Sequence, residues 1–271
     1  MITVYGGTGF VGSTFCNMYE DTLVMPRDQR NPVTDNILYL ISTIDNYNIH
    51  TDITLDVETN LRVLCEVLDY CRKDSIVFNF VSSWFVYGDS GLPAKESYEC
   101  HPKGFYSITK KCAEDLLISF CRTYEVDYRI MRLCNVMGKG DGKSSAKKNA
   151  LSFMIDKMKK DEDIDVYDEG TPIRDVMHVK DVCRALRLVM DKGNLNEIYN
   201  IGSGQPTRIG DIISVAKEYL NSKSRVGSKE APRFHQICQT KDMYLDVTKL
   251  NDLGFEQEIP LQKIIEELCT N

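Results

Sequence analysis

Gly6-Gly7-Thr8-Gly9-Phe10-Val11-Gly12 follows the apolar run Ile2-Thr3-Val4-Tyr5 and opens a helical pattern. The glycines fit G-x-G-x-x-G through Gly7, Gly9 and Gly12, and G-x-x-G-x-x-G through Gly6, Gly9 and Gly12. Glycine permits the tight turn and the close approach of backbone to a pyrophosphate. The helix behind it offers unpaired N–H groups and a positive dipole end. Such a run alone is a weak signal. Placed between a strand and a helix, it predicts a dinucleotide loop.

The pattern around this loop is strand and helix in alternation. Thr22–Met25, Ile37–Ile41, Ile76–Val81 and Tyr128–Leu133 are bounded and mostly apolar, as expected of parallel strands covered on both faces. Helical spacing runs through Asn60–Leu68 and from Tyr106 to Tyr124. Alternation of this kind implies βαβ units and an α/β fold with a Rossmann-like, doubly wound parallel sheet. Past Leu133 the texture changes. A glycine-rich loop, Gly138–Lys143, leads to an amphipathic helix expected over Ser144–Lys160 and a strand at Ile164–Tyr167. Val179–Met190, Ile209–Leu220 and Leu261–Leu268 are helical, and Ile198–Ile201 is strand-like. The expected division is a dinucleotide-binding domain over 1–135 plus about 175–201. A smaller C-terminal α/β lobe for substrate takes about 136–174 plus 202–271.

The 271 residues carry 33 Lys and Arg against 40 Asp and Glu, a formal charge of −7. An acidic chain is a poor general partner for nucleic acid. Ten cysteines include no Cys-x-x-Cys pair, and the four histidines are scattered, so no metal-ligand spacing is present. No apolar run reaches membrane-spanning length, and the first strand begins at Ile2 with no signal peptide before it. The expectation is a reduced, cytoplasmic protein without a metal.

Three motifs bear on chemistry. After Thr22–Met25, where an acid usually binds a ribose 2′-hydroxyl, the chain has Pro26-Arg27-Asp28. A guanidinium at Arg27 suits a 2′-phosphate, which points to NADP; Asp28 keeps NAD open. Tyr106 and Lys110 are four apart on one helix face. A nearby ammonium favours the tyrosinate, whose free pKa near 10 is too high for a base at neutral pH. Tyr219 and Lys223 share that spacing, but only Tyr106 follows a strand ending in Ser82-Ser83-Trp84-Phe85-Val86-Tyr87-Gly88. A hydroxyl at that strand end lies where doubly wound sheets bind ligands.

With these stretches, Arg132–Gly138, Arg174–Asp181 and Tyr199–Gly204 complete a resemblance. The chain resembles extended short-chain dehydrogenases/reductases of the nucleotide-sugar epimerase/dehydratase group over nearly its whole length. The resemblance implies that Ser83 and Tyr106 hold the reacting hydroxyl, with Tyr106 as acid/base and Lys110 on the nicotinamide ribose. Cofactor contacts would come from Gly6, Gly9, Phe10, Val11, Gly12, Arg27, Ile41 and Ser42, besides Tyr106 and Lys110. Asn135 and Arg174 would face a diphosphate, with Arg233 a weaker candidate, and Trp84 would wall the sugar pocket. His178 is read as structural and Cys100-His101-Pro102 as loop, and neither histidine is assigned to catalysis.

Two departures shape the expected activity. Only 24 residues separate Gly12 from Ile37, so one strand–helix unit is missing. Sugar 4,6-dehydratases of the group carry an Asp-Glu pair after the catalytic hydroxyl, where this chain has Trp84-Phe85, and neither side chain can transfer protons. The resemblance thus implies a nucleotide-sugar 4-epimerase or, alternatively, an NADPH-using 4-ketoreductase, in either case a homodimer. A non-enzymatic NADP-sensing relative is the reading from a different class.

Overall fold

Strand β1 (Ile2–Tyr5) is buried along its whole length inside a parallel sheet. The computed structural model describes residues 1–73, 75–141 and 150–270. β2 (Thr22–Val24), β3 (Asn36–Tyr39), β4 (Val77–Ser83) and β5 (Asp127–Leu133) belong to the same sheet. Four short strands follow: β6 (Asn135–Met137), β7 (Ile164–Tyr167), β8 (Ile173–Arg174) and β9 (Val176–His178). β10 (Glu197–Ile201) returns to the sheet, and β11 (Thr207–Arg208) and β12 (Val226–Lys229) lie outside it. Among the described residues the sheet order is β10-β5-β4-β3-β1-β2, with every pairing parallel.

The chain leaves β1 for β2 on one side and then crosses to β3 on the other. That reversal makes the C-terminal ends of β1 and β3 the ligand crevice of a doubly wound sheet. β2 is an edge strand, so the expected loss of one strand–helix unit is what the topology contains. Residues 25–35 cross from β2 to β3 without a helix. The Tyr5 hydroxyl donates to Arg30 O (2.5 Å), and Arg30 Nε pairs with Glu66 (2.8 Å). These contacts tie the loop down on the sheet face.

Strand alternation sends neighbouring side chains to opposite faces. Val4, Leu38 and Met131 pack with Phe15 of α1 (Phe10–Met18) on one side. Tyr5, Ile37, Tyr39 and Phe80 face the other side. There α2 (Leu55–Val57), a π turn (Glu58–Arg62) and α3 (Val63–Leu68) form one bent helix beside α4 (Phe105–Tyr124). A third apolar cluster joins α5 (Ala150–Met158) to β7, as Ile155 and Ile164 pack together. α6 (Val179–Lys192) covers the face that carries α1. α7 (Ile209–Leu220) belongs to the third cluster. α8 (Arg233–Cys238) and α9 (Thr248–Asp252) precede α10 (Leu261–Thr270), which also packs in that cluster. The expected helix over Ser144–Lys160 is α5 in its described part. Residues 144–149, and Gly142-Lys143 of the preceding loop, lie outside the described residues.

Candidate active site

Gly6 takes a positive φ of +79°, and a Cβ there would stand 3.0 Å from the Leu40 carbonyl carbon. The Gly9 N–H closes the turn onto Gly6 O (3.0 Å), and Gly9 caps α1 without a side-chain hydrogen bond. A Cβ on Gly12 would lie 2.3 Å from Gly6 O, so Gly12 lets helix and strand touch. Gly6, Gly9, Phe10, Val11 and Gly12 all line a cavity of about 690 Å³ at the sheet's C-terminal edge. A cradle open to the cavity, with uncapped N–H groups, fits the diphosphate of a dinucleotide.

Ser83 ends β4, and its Oγ accepts from Phe85 N–H (3.3 Å) to start the 3-10 turn Trp84–Tyr87. α4 begins at Gly104, whose N–H donates to Ser107 Oγ (2.9 Å). Its first turn is fixed by Asn46 Oδ1, which accepts from Ser107 N–H (3.4 Å). This start sets Tyr106 and Lys110 on the face turned to the sheet, and both are buried. Burial raises the Tyr106 pKa; hydrogen bonds with the Ser83 and Ser42 side chains oppose the rise, and Asp56 and Asp45 add to it. Lys110 Nζ donates to Val81 O (2.8 Å) over the Phe80 ring (4.2 Å). Burial pulls the Lys110 ammonium down to about 7, and Glu114 acts in the opposite direction.

A polar network under Ser42 was not visible in the sequence pattern. Asn60, in the π turn, accepts from Ser42 Oγ (3.1 Å) and Thr43 N–H (2.8 Å) and donates to Thr109 Oγ1 (2.9 Å). Asp56 accepts from the Thr43 hydroxyl and from Asn48 Nδ2 (3.0 Å). These bonds hold Ser42 beside Tyr106. Ile41 was expected on the cofactor. Its neighbours Leu40 and Ser42 line the cavity, whereas Ile41 packs against the core under α3 and α4, as alternation demands.

The wall opposite comes from β6, which carries Asn135, and β8, which carries Arg174. Asn135 Nδ2 donates to Asp175 O (3.1 Å). Arg174 is fixed by the carbonyls of Ile173 (2.7 Å), Lys241 (2.5 Å) and Thr240 (3.2 Å) and lies 5.4 Å over the Trp84 ring. Burial lowers its pKa to about 10, which leaves it cationic at neutral pH. Trp84 stacks on Phe85 at 3.9 Å and is both core and cavity wall. Arg27 and Arg233 are exposed and outside the cavity lining. His235 and Gln239 turn inward from the segment after Arg233, and His235 Nδ1 meets the Tyr47 hydroxyl (3.1 Å). His178 accepts from Lys180 N–H at the start of α6 (3.2 Å) and pairs with Glu267 (3.2 Å), a structural placement. Among the described residues no group of three His, Cys, Asp or Glu could hold a metal, and no helix is long and apolar enough to cross a membrane.

A glycine cradle, a Ser-capped strand end and a Tyr-Lys helix converging on one cavity define the class of nicotinamide-dependent enzymes built on a doubly wound sheet. The chain belongs to the NAD dependent epimerase/dehydratase family, whose model matches residues 34–202. It is 27% identical over 305 residues to a Methanocaldococcus jannaschii protein with the provisional name UDP-glucose 4-epimerase, covering 99% of this chain and 97% of that one. A dTDP-glucose 4,6-dehydratase of Xanthomonas campestris is 28% identical over 75% of this chain and 61% of its own length. The fold is that of Thermotoga maritima UDP-glucose 4-epimerase, solved with UDP-glucose. The TM-score is 0.87 at 22% identity, over 99% of this chain and 97% of that one.

Proposed function

We propose that the protein is a nucleotide-sugar 4-epimerase acting on a UDP-sugar. The observation that carries this reading is the convergence of Ser42, Ser83, Tyr106 and Lys110 on one cavity, with Tyr106 and Lys110 buried one helical turn apart. Bound nicotinamide would accept and return the hydride. Tyr106 takes the proton of the C4 hydroxyl and later gives it back; Ser83 shares that hydrogen bond, and Lys110 favours the ionised tyrosine. Arg174 and Asn135 hold the diphosphate while the sugar turns between the two half-reactions. The dinucleotide sits on residues 1–135 plus about 175–201, and the remaining lobe takes the substrate. Trp84 and Phe85, stacked on the wall, can neither give nor accept a proton, so the reading excludes 4,6-dehydration.

A second reading, a 4-ketoreductase using NADPH, is favoured by Arg27. Arg30 is occupied by Glu66, while Arg27 stays exposed just after β2 and offers its guanidinium to a 2′-phosphate. Arg27→Ala is expected to weaken NADP by about 2 kcal/mol and leave NAD nearly unchanged, since a hydrogen bond to a charged group has that worth. Titration with each cofactor checks this, and equal effects on both would make Arg27 a plain loop residue. The two activities separate in one assay, with cofactor absorbance followed beside product analysis on candidate nucleotide sugars. C4 inversion without net cofactor change supports the epimerase. Stoichiometric loss of NADPH with a 4-keto sugar overturns it. An NADP-sensing protein without turnover would leave the Tyr106–Lys110 pair without use.

We further propose a cytoplasmic homodimer. Ile108, Cys112 and Leu116 recur every four residues on the outer face of α4, and Ile108 (47%) and Leu116 (38%) are exposed. An apolar stripe on the face turned from the sheet is what a second copy covers. Light scattering at micromolar concentration is expected to give twice the chain mass; a monomer contradicts the proposal. The ten cysteines are free thiols, as suits a reducing compartment.

A further inference from the structure

The geometry points to Glu114 as a positioning residue that holds Lys110 in its charged form, so that Tyr106, Lys110 and Glu114 work as one row along α4. The role in turnover rests on the functional reading above; the effect on Lys110 does not. The three residues are four apart, so they share one helix face, and all three are buried. A buried ammonium needs a counter-charge or loses its proton. Lys110 Nζ has a carbonyl, Val81 O, and the Phe80 ring beside it, and neither carries a negative charge.

Glu114 supplies that charge and cannot wander. Its two oxygens accept from Arg132 on β5, Oε1 from Nε (3.0 Å) and Oε2 from Nη2 (2.7 Å). Arg132 in turn lies over the Tyr87 ring (4.7 Å). A carboxylate so clamped is held in place, and it acts on Lys110 through its field. The row is therefore cation, anion, cation, from Lys110 through Glu114 to Arg132. Other titratable groups packed near it are Asp45 and Asp56, which act on Tyr106, and Tyr87 and Cys100, which act on Arg132. Glu114 is the acid that acts on Lys110 among the described residues. Neutralising it leaves two buried cations with no anion between them.

The test is Glu114→Gln, which keeps the shape and one acceptor for Arg132. Lys110 Nζ is titrated by ¹⁵N NMR in cofactor-free protein, assigned with Lys110→Met, and kcat/KM is followed against pH beside thermal melting. The Lys110 midpoint is expected to fall by about one pH unit, and the alkaline limb of kcat/KM with it, costing about tenfold in activity above that limb. Glu114→Asp, which keeps the charge, is expected to restore most of it. An unchanged Lys110 midpoint, whatever happens to melting, makes Glu114–Arg132 a structural pair and overturns the proposal. A midpoint that falls while the pH profile stays fixed upholds Glu114 and overturns the part given to Lys110 in turnover. Should Glu114→Gln not fold, the double variant Glu114→Gln/Arg132→Met removes both charges of the pair, an exchange buried sites tolerate. Its Lys110 midpoint is expected below the native one, because Glu114 is the charge of the pair that acts on Lys110, and no change there also overturns the proposal.

Discussion

Tyr106→Phe is expected to lower kcat by about 10²–10⁴-fold, the range spanned by a positioned acid/base group. The ring keeps its edge-to-face contact with Phe85 at 5.7 Å, so the pocket wall is preserved and only the proton carrier is lost. Cofactor and substrate affinity should change little, placing the loss in kcat and in kcat/KM alike, as for a group that acts only in the transition state. Tyr219→Phe is the control. It has the same spacing to Lys223, but it is exposed on α7 and faces no strand end. Steady-state kinetics on both variants decide the matter. Substantial turnover in Tyr106→Phe would remove this residue from the chemistry and the Ser83–Tyr106–Lys110 mechanism with it.

The difference between Tyr106 and Tyr219 is legible in the sequence, because it depends on what precedes each residue along the chain. The same holds for the sheet. The run Ile2–Tyr5 coincides with β1, and Tyr128–Leu133 differs from β5 by one residue, since strands buried on both faces leave a mostly apolar signature. What was not legible is contact between distant segments. β8 and β11 are two residues long and exist only through their pairing with each other, so neither carries a period to detect. Asn60 looked like the first turn of a helix. Its place in a π turn, 18 residues along from the Ser42 hydroxyl it accepts from, is set by packing against α4. Ile41 and Ser42, adjacent just past β3, take opposite sides, Ser42 lining the cavity and Ile41 packing on the core, a difference their shared place in the sequence does not show. The short helix α8 turns His235 toward the cavity and leaves Arg233 in solvent, an orientation that no sequence period announces.

The glycine cradle offers the second large effect, and the geometry says which glycine to change. Gly12 is the wrong target, since any Cβ there collides with Gly6 O at 2.3 Å and Gly7 Cα at 2.8 Å and would disturb the strand–helix contact itself. Gly6 adds the strain of a positive φ. Gly9 is different. Its backbone is extended, at φ −78° and ψ 175°, which any residue adopts, and a Cβ would meet only Gly6 O at 3.3 Å. A leucine there leaves the chain able to fold and sends its side chain toward the cavity that Gly9 lines, in front of the uncapped N–H groups of α1. A diphosphate could no longer reach them. Gly9→Leu is therefore expected to bind cofactor at least about a hundredfold more weakly, the sum of a lost charged hydrogen bond and a steric block. Trp84 is the single tryptophan of the chain and lies on the wall of the same cavity, so its emission reports binding without any assay of turnover. Circular dichroism and melting temperature close to native, with cofactor quenching of Trp84 gone, is the expected outcome. Undiminished quenching at native cofactor concentrations would mean that the dinucleotide does not lie on Gly6–Gly12.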